Sequence, residues 1–319
     1  MVPGGRREES KMKRNLLVAL DDSLYSRCCL NYLSIIFEVI PDLHLTLYHV
    51  QPSLSGYLIE EARKDSKARK SLEKVIEQNR EKAMELLNRC KESIARMGIP
   101  DERIKLFTAP RMLGLAKDIL EKGLKDDYDA IVSGRRGLSG VQQFFVGSLT
   151  AKLVEHAAVP VWIIDGDRFN TKIMVAVDGS QSALKAVDHA LFMISGHPDA
   201  GITLYHVKPM LQDYCEIDLS RTEVAVETIF EPSNQQCLMD FYGQVRKKLK
   251  DYEIDEKRME YIEVQRKLSI GKTIISAAKE LGFTTIVMGK RGMGNAFFMG
   301  GVSDFVLKYS SKVTIWIVP

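Results

Sequence analysis

The sequence predicts an α/β protein made of two tandem domains, each an open parallel sheet with helices on both faces. Three observations predict it. The chain has 319 residues, enough for two domains of ordinary size. It repeats itself: LLVALDDS at 16–23 returns as IMVAVDGS at 173–180, and LTLYHVQP at 45–52 returns as ITLYHVKP at 202–209, both 157 positions on. Within each repeat, short β-branched runs alternate with stretches of helical periodicity, the rhythm of parallel strands buried beneath helices.

The elements follow in order. The first residues, MVPGGRREESKMKRN, are charged and glycine-rich with no apolar run behind them. They are not expected to form a signal peptide, and residues 1–12 are expected to be a disordered tail. The first strand is LLVAL, or IMVAV in the second unit, and each runs into an aspartate, Asp21 or Asp178. A helix is expected over 26–40 and again over 182–194. Its most apolar run, LNYLSIIFEVI, is broken by Asn31, Ser34 and Glu38 at helical spacing, so it reads as one face of a buried helix. No stretch approaches the roughly 18 uninterrupted apolar residues of a membrane span. The second strand is LTLYHV or ITLYHV. In the first unit a long charged segment follows, in which Leu72, Val75, Ile76, Ala83, Leu86, Leu87, Cys90 and Ile94 recur every three or four residues. That spacing predicts an amphipathic helix with a solvated charged face. The third strand is IKLFTA or YIEVQR, and a helix follows Gly114 or Gly271, two glycines also 157 apart. The fourth strand, AIVSG or TIVMG, lies in DAIVSGRRG at 129–137 and TTIVMGKRG at 284–292, where the offset has become 155. A glycine-rich loop, a helix and a last strand, PVWII at 160–164 or TIWIV at 314–318, close each unit. The polar segment Asp165–Thr171 joins the units, which places the domains at 13–165 and 171–319.

Composition excludes several classes. Hydrophobic residues make up 45% and charged residues 27%, so the chain is neither disordered nor collagen-like. The net charge is +3 with acids and bases interleaved, and no nucleic-acid partner is expected. The five cysteines include no CxxC and make no disulfide framework. They read as free thiols in a reducing cytosol, and the protein as cytoplasmic with no membrane partner.

The informative segment is SGRRGLSGVQQFFVGSLTAKLV, which reads Gly134-x-x-Gly137, then nine residues, then Gly147-Ser148. It begins where a strand ends and finishes where a helix starts. Glycines there permit close backbone approach and positive φ. The helix-start N–H groups lack internal partners and, with the helix dipole, favour an anion such as phosphate. The hydroxyls of Ser148 and Thr150 add donors. The plain alternative is a helix cap with ordinary turn glycines. Ligands of open α/β sheets bind where the strand order reverses. If the first and fourth strands flank that point, Asp21 and the loop meet in one crevice, with Asp21 suited to a base or ribose and the loop to a polyphosphate.

Together the Asp-x-Ser after the first strand, the LYHV strand and the G-x-x-G-x9-G-S loop resemble the universal stress protein family in its tandem two-domain form, over about residues 13–319. The resemblance implies two Rossmann-like domains, each an open five-stranded parallel sheet in the order 3-2-1-4-5. It implies a nucleotide-binding regulatory protein of the stress response, although some members bind ATP and others do not. Carried onto this chain, the ATP site comprises Asp21 with Ala19 and Leu20, Val50, and the loop positions Ser133, Gly134, Gly137, Gly147, Ser148, Leu149 and Thr150. An accompanying Mg2+ is left open. The resemblance also implies that the last strands, 160–164 and 314–318, pair to make an internal pseudo-dimer. A homodimer and an unidentified protein partner are further expectations. A nucleotide-independent interaction scaffold and a slow ATPase are the competing readings.

The second unit departs from the pattern. Asp178, Val207, Met288, Gly289 and Gly292 match. Aligning Phe144–Phe145 with Phe297–Phe298 sets Gly300 on Gly147, Gly301 on Ser148 and Ser303 on Thr150, and leaves seven loop residues where the first unit has nine. Two residues span up to roughly 7 Å, enough to move a phosphate cradle. The first domain is therefore expected to bind ATP, and the second weakly, differently or not at all.

Other motifs carry less. Gly271-Lys272-Thr273 resembles the end of a P-loop, but Arg266 stands where that loop needs its first glycine. His49 and His206 recur at equivalent places without further metal ligands at matching spacing, and read as strand-end histidines packed near the crevice. The pairs Arg135-Arg136 and Lys290-Arg291 suit phosphates, and a solvated loop face at least as well. No nucleophile, base and orienting group form a set, so no catalytic residue is assigned, and Asp22 is only a candidate base.

Overall fold

The computed structural model describes residues 13–135, 147–208, 225–266, 268–292 and 299–319. The expected tail at 1–12, Arg136, Gly137, Cys215 and both Phe-Phe pairs lie outside these residues.

The first half carries strands β1 (Arg14–Ala19), β2 (Leu43–Gln51), β3 (Ile104–Pro110), β4 (Ala130–Gly134) and β5 (Val161–Ile164). Its helices are α1 (Leu24–Ile36), α2 (Gly56–Lys64), α3 (Ser66–Arg96), α4 (Leu115–Lys125) and α5 (Ser148–His156). The second half carries β6 (Ile173–Val177), β7 (Ile202–Lys208), β8 (Met259–Gln265), β9 (Thr285–Gly289) and β10 (Thr314–Val318). Its helices are α6 (Gln181–Ile194), α7 (Ala225–Asp251), α8 (Ile270–Leu281) and α9 (Gly301–Tyr309).

All ten strands join one sheet in the order β3-β2-β1-β4-β5-β10-β9-β6-β7-β8. Each half thus has the order 3-2-1-4-5. Pairing is parallel within each half and antiparallel where β5 meets β10, with Trp162 opposite Trp316. Apolar runs such as LLVAL and TIVMG are buried because helices cover both faces. One core layer lies beneath α1, α3, α6 and α7, and the other beneath α4, α5, α8 and α9.

Three boundaries differ from expectation. Helix α1 starts at Leu24 because Ser23 caps it, its side chain accepting from the Ser26 N–H. It stops at Ile36, short of Pro41, whose ring disfavours helix in the residue before it. The long charged segment is two helices: Asp65 leaves the helical conformation (φ −129°, ψ 129°) and caps α3 through the Lys67 and Ala68 N–H groups. Leu72, Val75 and Ile76 were expected on the core face, yet Val75 and Ile76 are 43% and 40% exposed. At about 1.5 Å per residue α3 outruns the strands it covers, so only its C-terminal part, with Ala83, Leu86, Leu87 and Ile94, reaches the core. Finally, Gly114 and Gly271 are not equivalent. Gly114 is the N-cap of α4 at φ 124°, whereas Gly271 is the second residue of α8, behind the cap Ser269. The offset of 155 already holds at these helices.

Candidate functional site

Strands β1 and β4 are adjacent, and beyond their carboxyl ends the order reverses. A cavity of about 310 Å³ opens there. Ala19, Leu20, Asp21, Val50, Ser133, Gly134, Gly147, Ser148, Leu149 and Thr150 all line it. These are all of the first-domain positions expected at the site except Gly137, which lies outside the described residues. Sequence reasoning missed Ser26, Tyr48, Leu115 and Ile119 on the wall, and set His49 aside. Leu115 and Ile119 belong to the first two turns of α4, and their four-residue spacing is the same as that of core-facing helix residues.

Asp21 is held by its own turn. Its Oδ1 accepts from the Ser23 N–H at 3.1 Å, from Ser26 Oγ at 2.8 Å and from the Ser23 hydroxyl, while the Asp21 N–H donates to Ser26 Oγ at 2.8 Å. The Asp-x-Ser motif therefore fixes one carboxylate oxygen, and among the described residues no partner engages the other. His49 Nδ1 lies 2.8 Å from the Leu20 carbonyl and ties β2 to the end of β1, and His206 Nδ1 lies 2.9 Å from Val177 O in the second half. Burial, with Asp118 and Glu121 near, pushes the Tyr48 phenol up to about 12, so it stays protonated at the cavity wall.

The loop residues divide into frame and donors. A methyl group on Gly134 would stand 2.6 Å from Tyr25 Cβ, so this glycine admits the close approach of α1. Gly147 caps α5 at φ −59° with its N–H donating to the Arg135 carbonyl at 3.1 Å, so it needs no left-handed conformation and offers no free donor. The Thr150 hydroxyl is buried and donates to the Gly134 and Arg135 carbonyls, both at 3.1 Å. That leaves the N–H groups of Ser148, Leu149 and Thr150, which precede the first intrahelical donor, the Ala151 N–H, and the exposed Ser148 hydroxyl.

The second half repeats the frame. Gly300 caps α9 and donates to the Lys290 carbonyl at 2.9 Å, and Ser303 Oγ donates to the Gly289 carbonyl at 2.7 Å, as Thr150 does to Gly134. Gly301 begins the helix, and Val207, Met288 and Gly289 end their strands. Around Asp178 the packing is tight: a methyl on Gly292 would stand 3.0 Å from Asp178 Oδ2, and one on Gly300 would stand 3.1 Å from the Gly292 nitrogen.

Arg135 and Lys290 are neither phosphate contacts nor solvated loop residues. Both are buried and reach into the opposite half, where Arg135 bonds carbonyls at the end of α9 and Lys290 the Glu155 carbonyl of α5. Their burial could not be read from the sequence, because it depends on the antiparallel seam. Gly271, Lys272 and Thr273 form the first turn of α8, where the Lys272 N–H and the Thr273 hydroxyl bond to Ser269. Among the described residues, no three or more His, Cys, Asp or Glu side chains are grouped to hold a metal ion, and no helix is long and apolar enough to cross a membrane.

Comparison with known proteins agrees with this architecture. A model of the universal stress protein family matches residues 12–165 and again 170–319. A Staphylococcus aureus (strain USA300) protein named for that family is 29% identical over 155 residues, covering 47% of this chain and 83% of its own length. A universal stress protein from Archaeoglobus fulgidus superposes with a TM-score of 0.60 at 20% identity, covering 95% of this chain and 97% of that one. A Pseudomonas aeruginosa protein assigned to the same family gives a TM-score of 0.55 at 16% identity, covering 96% and 93%. At these identities the structural matches show the fold.

Proposed function

Because the chain belongs to the universal stress protein family, carrying the family's domain twice in tandem, we propose that its first half is an ATP-binding regulatory module. The observation that carries this reading is the convergence of ten expected positions from β1, β2, β4 and α5 on one cavity of about 310 Å³. That volume lies at the lower end of the range of small-molecule pockets. The chemistry is divided as a nucleotide needs. Val50, Leu115 and Ile119 supply apolar wall for a base, and Asp21 offers a fixed carboxylate to a base or ribose donor. The N–H groups of Ser148, Leu149 and Thr150 offer a cradle for phosphate at a helix start. ATP would bring any Mg2+ with it, since among the described residues no carboxylate cluster accompanies the cradle.

In the second half, Gly292 pressed against Asp178 supports a narrower crevice and weaker or different binding. The domains are taken as 13–165 and 171–319. Nucleotide occupancy of the first would alter how the protein engages a protein partner, in the cytoplasm and under stress.

The test uses Ser148→Pro. Proline is favoured at the first helical position, where its missing N–H costs no internal bond. Gly147 already has the extended ψ of 147° that a following proline requires. The variant therefore removes one cradle donor and one hydroxyl while keeping the fold. Calorimetric titration with ATP is expected to show binding by the wild type and about 10-fold or greater weakening in Ser148→Pro, with an unchanged Tm. Absence of released nucleotide on denaturing the purified protein, together with no binding of added ATP, would overturn the reading in favour of a nucleotide-independent scaffold.

A further inference from the structure

The two cradle helices are clamped crosswise. The Arg135 backbone is the seat of α5, since its carbonyl accepts from the Gly147 N–H and the Thr150 hydroxyl, each at 3.1 Å. Its side chain, only 3% exposed, leaves that half. Nη2 donates to the Leu307 and Lys308 carbonyls, both at 2.8 Å, and Nη1 donates to the Ser310 carbonyl and pairs with Asp165 at 3.1 Å. These are the carbonyls at the end of α9, which lack intrahelical partners and carry the negative end of the helix dipole.

Lys290 is the counterpart. Its carbonyl seats α9 through the Gly300 N–H at 2.9 Å, and its Nζ donates to the Glu155 carbonyl in the last turn of α5. Burial, with Arg291 beside it, lowers the Lys290 pKa. Each clamp therefore supports the N-terminus of its own helix and grips the C-terminus of the other half's helix. Helices α5 and α9 have nine residues each, about 13 Å of continuous hydrogen-bonded rod. A shift at one end is thus carried to the other.

We propose that Arg135 and Lys290 are positioning residues that couple the two cradles reciprocally, so that a ligand ordering the start of one helix also orders the other half's cradle. In its consequence for nucleotide this rests on the function proposed above. The mechanical coupling stands on the geometry alone. It is also unequal: among the described residues Arg135 donates to three carbonyls of the other half and Lys290 to one.

The experiment is amide hydrogen exchange on the full chain without ligand, comparing wild type, Lys290→Met, Arg135→Met and the exposed neighbour control Arg291→Met. Lys290→Met is expected to speed exchange at Ala151, Lys152 and Leu153 of α5 by about 5-fold or more, the scale of an ordinary coupling, with β1 and β2 unchanged. Arg135→Met is expected to do the same, and more strongly, to residues 304–307 of α9. Lys290→Arg should restore wild-type exchange. Should Lys290→Met not fold, Lys290→Gln carries the same comparison. Exchange in α5 that stays at the wild-type rate, or that rises equally throughout the first half, overturns the proposal. Titrating wild type and Lys290→Met with ATP then tests the functional consequence. If the wild type does not bind ATP, the nucleotide reading fails while the exchange result still decides the coupling.

Discussion

At the scale of single residues, glycines and aromatics serve packing that no local pattern announces. Gly134 ends β4 beneath the backbone of α1, and a Cβ there would meet Tyr25 Cβ at 2.6 Å and its carbonyl carbon at 3.2 Å. Gly289 faces Ser182 in the same way. Gly134→Ala is therefore expected to cost about 1–3 kcal/mol, the range of an overpacked site, read as a lower urea midpoint at unchanged m-value. Position 32 and its repeat partner 189 hold different residues with one duty. Trp316 Nε1 donates to the Tyr32 hydroxyl, and Trp162 Nε1 donates to His189 Nε2, both at 3.0 Å.

Burial pushes His189 down from 6.5 to about 3, so in the folded protein the ring stays neutral and accepts. The unfolded chain then binds more protons than the folded one between those values. The contribution is whole above pH 6.5 and is lost as pH falls toward 3, at about 1.4 kcal/mol per unit. Denaturant unfolding at pH 6.5 and 4.5 should show the wild type losing about 2 kcal/mol more than His189→Gln, which keeps an acceptor that does not titrate. Equal losses in the two proteins would mean that His189 takes no part.

At the scale of elements, the repeated strands and their flanking helices were legible because they obey two simple periods. Runs such as IMVAV and TIWIV are short and apolar, and they proved to be buried strands. The ends of helices were less legible, since a cap is one hydrogen bond among several serines and aspartates. Ser23 rather than Ser26 begins α1, and Asp65 separates α2 from α3 ahead of the apolar repeat at 72–94. The site was legible to the extent that it is made of strand ends and one loop. Leu115 and Ile119 were not, because nothing in an amphipathic helix says which of its apolar residues face a cavity and which face the core. The same holds for Arg135, whose sequence neighbours are a glycine and another arginine.

At the scale of the whole molecule, the decisive feature is the seam between β5 and β10. Trp162 and Trp316 lie opposite each other with ring centroids 3.8 Å apart and planes within 1°, both fully buried. The seam turns two edge strands into interior strands and so removes two templates for unwanted pairing. Arg14 reinforces it by reaching the Phe192 carbonyl at 3.0 Å and Ser195 Oγ at 2.6 Å at the end of α6. Trp162→Glu would bury an unpaired carboxylate in this stack, a cost of several kcal/mol. The expected outcome is a larger radius of gyration by small-angle scattering as the halves part. A radius equal to that of the wild type would show that the seam does not hold the halves together.

By itself the sequence determined that the chain is a duplication and that each copy is an α/β unit, while the residues expected beyond β1 and β4 came with the family resemblance. Strand burial, helix periodicity and the offset between repeats are local or nearly local quantities, and they survive translation into linear text. The tertiary structure alone decided which polar groups are spent on the frame and which remain to meet a ligand. It also decided that Arg135 and Lys290 each bond to the last turn of the other half's helix. The reason is that hydrogen-bond partners and burial are properties of pairs of surfaces. The surfaces that matter here meet only once the two halves have closed across an antiparallel seam, with partners about 135 and 175 positions apart along the chain.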